Sequence, residues 1–284
     1  MDPRTRPYRS VLYIPGSKPR ALDKARNLPV DAVIFDLEDA VSVEEKENAR
    51  DTLATALAEG GYGARVRIVR INGLDTQWGR ADAEAAAKMD CDAILLPKVS
   101  SSADLDALAE ITGDKPLWAM METPRGMLNA AEIAAHPKLQ GMVMGTNDLA
   151  KELQTRFRAD RLPMMAGLGL CLLAAKAEGK IIVDGVYNAF KDDEGLKVEC
   201  DQGRDMGFDG KTLIHPAQVD VTNTAFAPSE AEIDLARRQI AAFEEVEASG
   251  QGVAVVDGKI VENLHVATAR EILAKADAIA AISA

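Results

Sequence analysis

The chain of 284 residues is 47% hydrophobic and 27% charged, with a formal net charge of −12. That length suits one large α/β domain or a domain with an appendage, and the composition is that of an ordinary soluble globular protein. The acidic balance argues against general nucleic-acid binding, which needs a basic face for phosphates, and no apolar run approaches the roughly eighteen residues of a membrane span.

The N-terminus, MDPRTRPYRS, is basic, but the VLYI that follows is too short for a signal-peptide core. Cys91, Cys171 and Cys200 are scattered through apolar or helical stretches, and His136, His215 and His265 are equally dispersed. That usage argues against a disulfide framework or a zinc cluster and predicts a reducing, cytoplasmic setting.

Short β-rich runs predict strands over 10–14, 32–36, 65–71, 93–97, 117–121, 142–145, 181–184 and 212–215. Helical stretches fall between them, around 20–28, 42–59, 80–90, 102–111, 127–135, 150–178 and 194–206. The strands are continuous apolar runs, the mark of a parallel sheet buried on both faces. Eight of them with helical crossovers predict an α/β fold, a (β/α)8 TIM barrel over residues 1–228. A doubly wound sheet is the alternative, but no G-x-G-x-x-G follows the first strand.

In such a barrel the chemistry sits at the C-terminal strand ends. Those ends carry Pro15-Gly16-Ser17-Lys18, Asp36-Leu37-Glu38-Asp39, Arg70, Pro97-Lys98, Glu122, Asp148, Asp184 and His215. Glu122 and Asp148 each close an apolar run, and two carboxylates on a rigid edge suit a hard divalent cation that keeps positions for water and substrate. Salt-bridged structural acids are the plainer alternative. Arg70 is read as a fork for a substrate carboxylate, while alternation turns Arg65 and Arg67 the other way. Glu38 and Asp39 are read as partners that orient Arg70 or Lys98, or reach water held by the cation. The PGSKPR loop joins a glycine to Lys18 and Arg20 before a helix carrying Lys24, which favours an anion. Residues 1–26 hold seven basic side chains against Asp2 and Asp23, a local cluster suited to a phosphate-rich small molecule.

Beyond His215 the pattern changes. Ser229 with Glu232 has capping-box spacing, and QGVAVVDGKIVE reads as a hairpin turning at Asp257-Gly258. An Ala-rich helix over roughly 264–281 ends the chain. Residues 229–284 thus form a helix-hairpin-helix extension with too small a core to fold alone.

The segments RSVLYIPGSKPRALDKA, FDLEDAVSVEEKENAR, VRINGLDTQWGR, LLPKV, METPRG, GTNDLAKEL and GFDGKTLIHPAQ resemble, in order and over nearly the whole chain, the citrate lyase β-subunit-like (HpcH/HpaI aldolase/citrate lyase) family. This is the branch of malyl-CoA lyases, citramalyl-CoA lyases and malyl-CoA thioesterases. The resemblance implies a TIM barrel acting on an acyl-CoA thioester, with coenzyme A as part of the substrate and Mg2+, or Mn2+, as cofactor. It matches Glu122 and Asp148 to the family's metal carboxylates and Arg70 to its substrate arginine. Pro15, Gly16, Lys18, Arg20 and Lys24 match the region that meets the CoA phosphates. The family's tail is a lid exchanged between subunits, which implies a homo-oligomer, a trimer or hexamer.

Two positions depart from the family pattern. The lyases carry an aspartate in the lid hairpin where this chain has Glu262, and relatives often have Glu where Asn147 stands. A longer lid acid moves the charge, and catalytic geometry is that sensitive. The resemblance therefore implies hydrolysis of a malyl-CoA-type thioester, with Glu262 as general base, ahead of carbon–carbon cleavage to acetyl-CoA and glyoxylate. A 2-oxo acid aldolase and a non-catalytic CoA-ester binder rank lower, the first because its substrates lack phosphates for the basic cluster.

Overall fold

The structure is a computed structural model that describes residues 6–250 and 252–283. Eight parallel strands close a barrel in sequence order: β1 (Ser10–Pro15), β2 (Ala32–Asp36), β3 (Val66–Arg70), β4 (Ala93–Leu96), β5 (Leu117–Met121), β6 (Leu139–Met144), β7 (Ile181–Asp184) and β8 (Gly210–Leu213). β8 returns to pair with β1, so the sheet has no free edge. The helices of the barrel unit are α1 (Pro19–Ala25), α2 (Lys46–Glu59), α3 (Gly79–Ala86), α4 (Ser102–Thr112), α5 (Pro124–Leu128), α6 (Ala130–Ala134), α7 (Thr146–Glu152), α8 (Met165–Ala177), α9 (Asp193–Met206) and α10 (Val219–Phe226).

Side chains along each strand alternate between two apolar clusters. One is built of strand residues, among them Val11, Ile34, Ile68, Leu95, Met120 and Val183, with Tyr8 and Trp118. The other joins their neighbours Leu12, Val33, Phe35, Val69, Ile94 and Ile182 to helix residues such as Leu22, Leu53 and Leu105. The first fills the barrel and the second packs strands on helices, which is why the runs are apolar at every position. The parity also assigns the strand ends. Two residues beyond Val11, Ile34, Ile68 and Met120 stand Tyr13, Asp36, Arg70 and Glu122, so all four face inward.

Three expectations are corrected here. The helix expected over 150–178 is two helices, α7 and α8, separated by residues 153–164. Pro163 cannot continue a helix from its N-terminal side, and Gln154 and Arg161 both take left-handed backbone. The last strand ends at Leu213, not His215, whose ring instead caps a 3-10 turn and stacks on Phe190. Asp184 falls on the outward parity, follows Ile182 and leaves the barrel mouth. It is fully buried between Arg161 (2.6 Å) and Lys211 (3.2 Å).

The chain from Ala227 onward belongs to a second compact unit. In it α11 (Glu230–Ser249) starts on the expected capping box, with Ser229 Oγ accepting from the Glu232 N–H and the Glu232 carboxylate accepting from the Ser229 N–H. The hairpin of β9 (Val255–Val256) and β10 (Lys259–Ile260) turns at Asp257 and Gly258, both at positive φ, the conformation a two-residue turn demands. With α12 (Asn263–Ser283), these elements enclose Ala254, Val256, Val261 and Val266. All three cysteines are free and buried, and no described helix is long and apolar enough to cross a membrane.

Candidate active site

Inward parity and loop placement bring Tyr13, Asp36, Asp39, Arg70, Glu122 and Asp148 around one cavity of about 300 Å3 at the C-terminal end of the barrel. Asp36 is its hub. Its two oxygens accept Arg70 Nε at 2.7 Å and Nη2 at 2.6 Å, and also the backbone N–H groups of Glu38 and Ala40. Arg70 Nη1 lies 2.8 Å from Glu38 and 3.8 Å from Asp39, and the guanidinium covers the Tyr13 ring at 4.9 Å. Arg70 therefore reaches the cavity, but its fork is closed on Asp36 and not open to a ligand. Burial would lower the Arg70 pKa; Asp36, Tyr13 and Glu38 outweigh it and hold the cation charged.

Glu38 and Glu122 are the two acids that burial changes most. The Glu38 carboxyl is pushed up to about 7 by desolvation, against Arg70 and helped by Asp39 and Asp36. Its Oε2 has no hydrogen-bond partner of proper geometry despite the close Arg70 contact. Glu122, only 2% exposed, is likewise pushed up to about 7 by burial, opposed first by the Lys98 N–H that donates to Oε1 at 2.8 Å. Lys98 aims that N–H from a left-handed backbone with φ 53°. Gly145 leaves room for Glu122, since a Cβ there would lie 2.4 Å from the Glu122 Cβ.

Asp148 does not end its strand as expected. It sits in the first turn of α7, half-buried, and reaches the cavity from the helix. Glu122 and Asp148 form a two-carboxylate set, and among the described residues no group of three or more His, Cys, Asp or Glu forms a cage. Two hard oxygen ligands, one of them the desolvated Glu122, fit Mg2+, which keeps waters and takes substrate oxygens, and do not fit a metal that needs a full protein shell.

The PGSKPR loop is placed as expected but works differently in part. Gly16 is required by packing: its N–H donates to Asp36 O at 2.8 Å, and a Cβ would come within 2.9 Å of Leu37. Lys18, Arg20 and Lys24 are exposed on and before α1, outside the cavity wall. Glu262 belongs to the second unit, exposed, its N–H donating to His265 Nδ1 at 2.9 Å. Asn147 exchanges amide hydrogen bonds with Asn188 at the rim.

Sequence reading undervalued Asp36, Tyr13, Gly145 and Lys46. Lys46 is buried under the Asp36–Ala40 turn, donating to Leu37 O, Glu38 O and Asn72 Oδ1. It borders a second groove of about 630 Å3 that shares Asp39 with the first cavity and is also lined by Glu38, Trp78 and Lys98. Strand parity along β1 and β2, the same alternation that separates the arginines of β3, is the sequence signal for Tyr13 and Asp36.

Residues 9–216 match the family model described as HpcH/HpaI aldolase/citrate lyase. The chain belongs to that family. Within the HpcH/HpaI family, it is 70% identical over 284 residues, all of both chains, to a (3S)-malyl-CoA thioesterase of Cereibacter sphaeroides. It is 34% identical to the citrate lyase subunit beta of Escherichia coli, over 96% of this chain and 95% of that one. Among solved structures, CitE of Mycobacterium tuberculosis in complex with magnesium, acetoacetate and coenzyme A superposes with a TM-score of 0.81. That pair shares 32% identity, and the match covers 96% of this chain and 99% of CitE. A citrate lyase beta subunit from the same organism, complexed with oxaloacetate and magnesium, gives 0.72 at 33% identity over 80% of this chain and 100% of its own. The family is one of enzymes, lyases and a thioesterase, and its solved members include complexes with magnesium and coenzyme A.

Proposed function

We propose that this protein hydrolyses a malyl-CoA-type thioester to free CoA and malate, with a divalent cation at Glu122 and Asp148. The observation that carries this reading is the 70% identity, over the full length of both chains, to a (3S)-malyl-CoA thioesterase. The cavity adds chemical support, since two hard oxygen donors and an arginine converge on a space of about 300 Å3.

In this reading Glu122 and Asp148 would hold Mg2+ at the cavity where the substrate's acyl group binds. When bound, the ion supplies Lewis-acid polarisation and charge stabilisation. Asp36 and Glu38 fix the Arg70 guanidinium at the cavity wall, where its positive charge would stabilise the oxygen that gains charge as the thioester carbonyl becomes tetrahedral. A water proton passes to a general base, for which we assign Glu262 of a lid. The water oxygen bonds to the carbonyl carbon, the carbon–sulfur bond breaks, and the proton goes to the departing CoA thiolate. Lys18, Arg20 and Lys24 are assigned to the CoA phosphates, being exposed cations next to the barrel mouth. The lid reading makes the active form a homo-oligomer in which the tail of one subunit completes the site of another.

A lyase acting through an enolate on the same substrate is the second reading, favoured by the 34% identity to citrate lyase beta subunits. Incubation with (3S)-malyl-CoA and Mg2+, following free thiol and glyoxylate together, separates the two. Free thiol with malate and no glyoxylate is the expected result. Glyoxylate with acetyl-CoA and no free thiol would overturn hydrolysis and establish cleavage.

A further inference from the structure

Five carboxylates, Asp36, Glu38, Asp39, Glu122 and Asp148, border the two adjoining cavities. An anionic acyl group entering such a space is repelled unless a cation receives it. Arg70 does not meet that need alone, because its fork is bidentate on Asp36 and its remaining nitrogen lies against Glu38. Lys46 does not meet it either, being 6% exposed with its ammonium on two carbonyls and an amide. Lys98 differs. Its side chain is exposed, and among the described residues its ammonium has neither a hydrogen bond nor an ion pair. It stands in the field of Glu38, Asp148, Glu122 and Asp39, and it lines the groove that adjoins the cavity.

Its backbone adds an independent observation. Left-handed φ on a residue other than glycine, asparagine or aspartate costs energy and concentrates where a site needs it. Here it directs the Lys98 N–H to Glu122 while the residue lines the groove that Glu38 and Asp39 also line. Glycine would supply that backbone more readily, so a lysine at this position is explained by what its ammonium does.

We propose that Lys98 is a specificity-determining residue, a side-chain cation that receives the free carboxylate of a dicarboxylic acid half-thioester alongside the divalent cation. This rests on the reading of the protein as an enzyme of malyl-CoA-type thioesters. A carboxylate has about four lone-pair sites, so one that meets the divalent cation proposed at Glu122 and Asp148 keeps others for the ammonium.

The test compares Lys98→Met and Lys98→Asn with the wild type, following consumption of (3S)-malyl-CoA so that hydrolysis and cleavage both count. Asparagine tolerates left-handed backbone and keeps the N–H in place. In both variants KM is expected to rise about 10- to 100-fold, the loss of one charge-assisted contact. Inhibition by free CoA, which carries no acyl carboxylate, is expected to stay unchanged, and Lys98→Arg to recover most of the loss. An unchanged KM, an equal weakening of malyl-CoA and free CoA, or a loss in the methionine variant alone would each overturn the assignment. Failure of the wild type to consume malyl-CoA would instead strike the functional reading beneath it.

Discussion

Glu122 joins folding to function through one proton. Burial raises its pKa from 4.5 to about 7, and Glu38 shifts the same way. A raised acid pKa means that, between those values, the folded state keeps a proton the unfolded state has released. Stability is therefore highest below the unfolded value and declines as pH rises toward 7. A divalent cation needs the ionised form, so its affinity rises over the same window. Urea unfolding in a chelator is expected to give a midpoint that falls between about pH 5 and 7, with Glu122→Gln flattening part of that slope. Identical slopes for the two proteins would mean that Glu122 titrates normally and is not desolvated as the fold places it. Added Mg2+ is expected to reverse the decline in the wild type and not in the variant.

At the scale of elements, the barrel was legible because a buried parallel strand writes itself as a continuous apolar run. All eight were found near their true limits. The runs do not state which face each residue takes, so acids at strand ends looked alike. Parity separates them: Asp36 and Glu122 turn in, whereas Asp184 turns out toward α9 and joins Arg161, Lys211 and Glu199. Asp148 was legible as a site acid but not as a helix residue, because the polar run Gly145-Thr146-Asn147 reads as a loop between the strand and a helix expected only from 150. The Asp36–Arg70 fork was illegible for another reason, being a contact between residues on neighbouring strands. Asp184 ties the loop after α7 to β7, and α7 carries Asp148. Burial alone would raise the Asp184 pKa, but Lys211 and Arg161 hold it below the usual range. Its contribution is therefore present at neutral pH and lost in acid, the opposite sense to Glu122. Asp184→Asn leaves two buried cations short of a partner and is expected to cost about 3–5 kcal/mol, read by urea denaturation at pH 7. A loss below 1 kcal/mol would show that Glu199 compensates Arg161 and Lys211 on its own.

At the scale of the whole molecule, the proposed role of Glu262 requires its tail unit to reach a barrel. The tail unit has a small apolar core of its own around Val256, Val261 and Val266, and Glu262 is exposed beside it. The lid reading places that acid in the site of a different subunit, which makes a quantitative prediction. Glu122→Gln removes a barrel carboxylate and Glu262→Gln removes the lid base, so each protein alone is expected to be inactive. In an oligomer of both, a barrel with intact Glu122 meets a lid with intact Glu262 wherever the two kinds of subunit adjoin in the right order. Random equal mixing gives active sites at about one quarter of positions in a hexameric ring, and at about one third in trimers that carry both kinds of subunit. Co-expressed variants, purified through two different tags, are thus expected to recover thioesterase activity near the corresponding fraction. Lids that serve their own barrels would leave the mixture as inactive as its parts, because every subunit then carries one defect in its single site. That outcome would remove lid exchange while leaving the assignment of Glu262 as base intact.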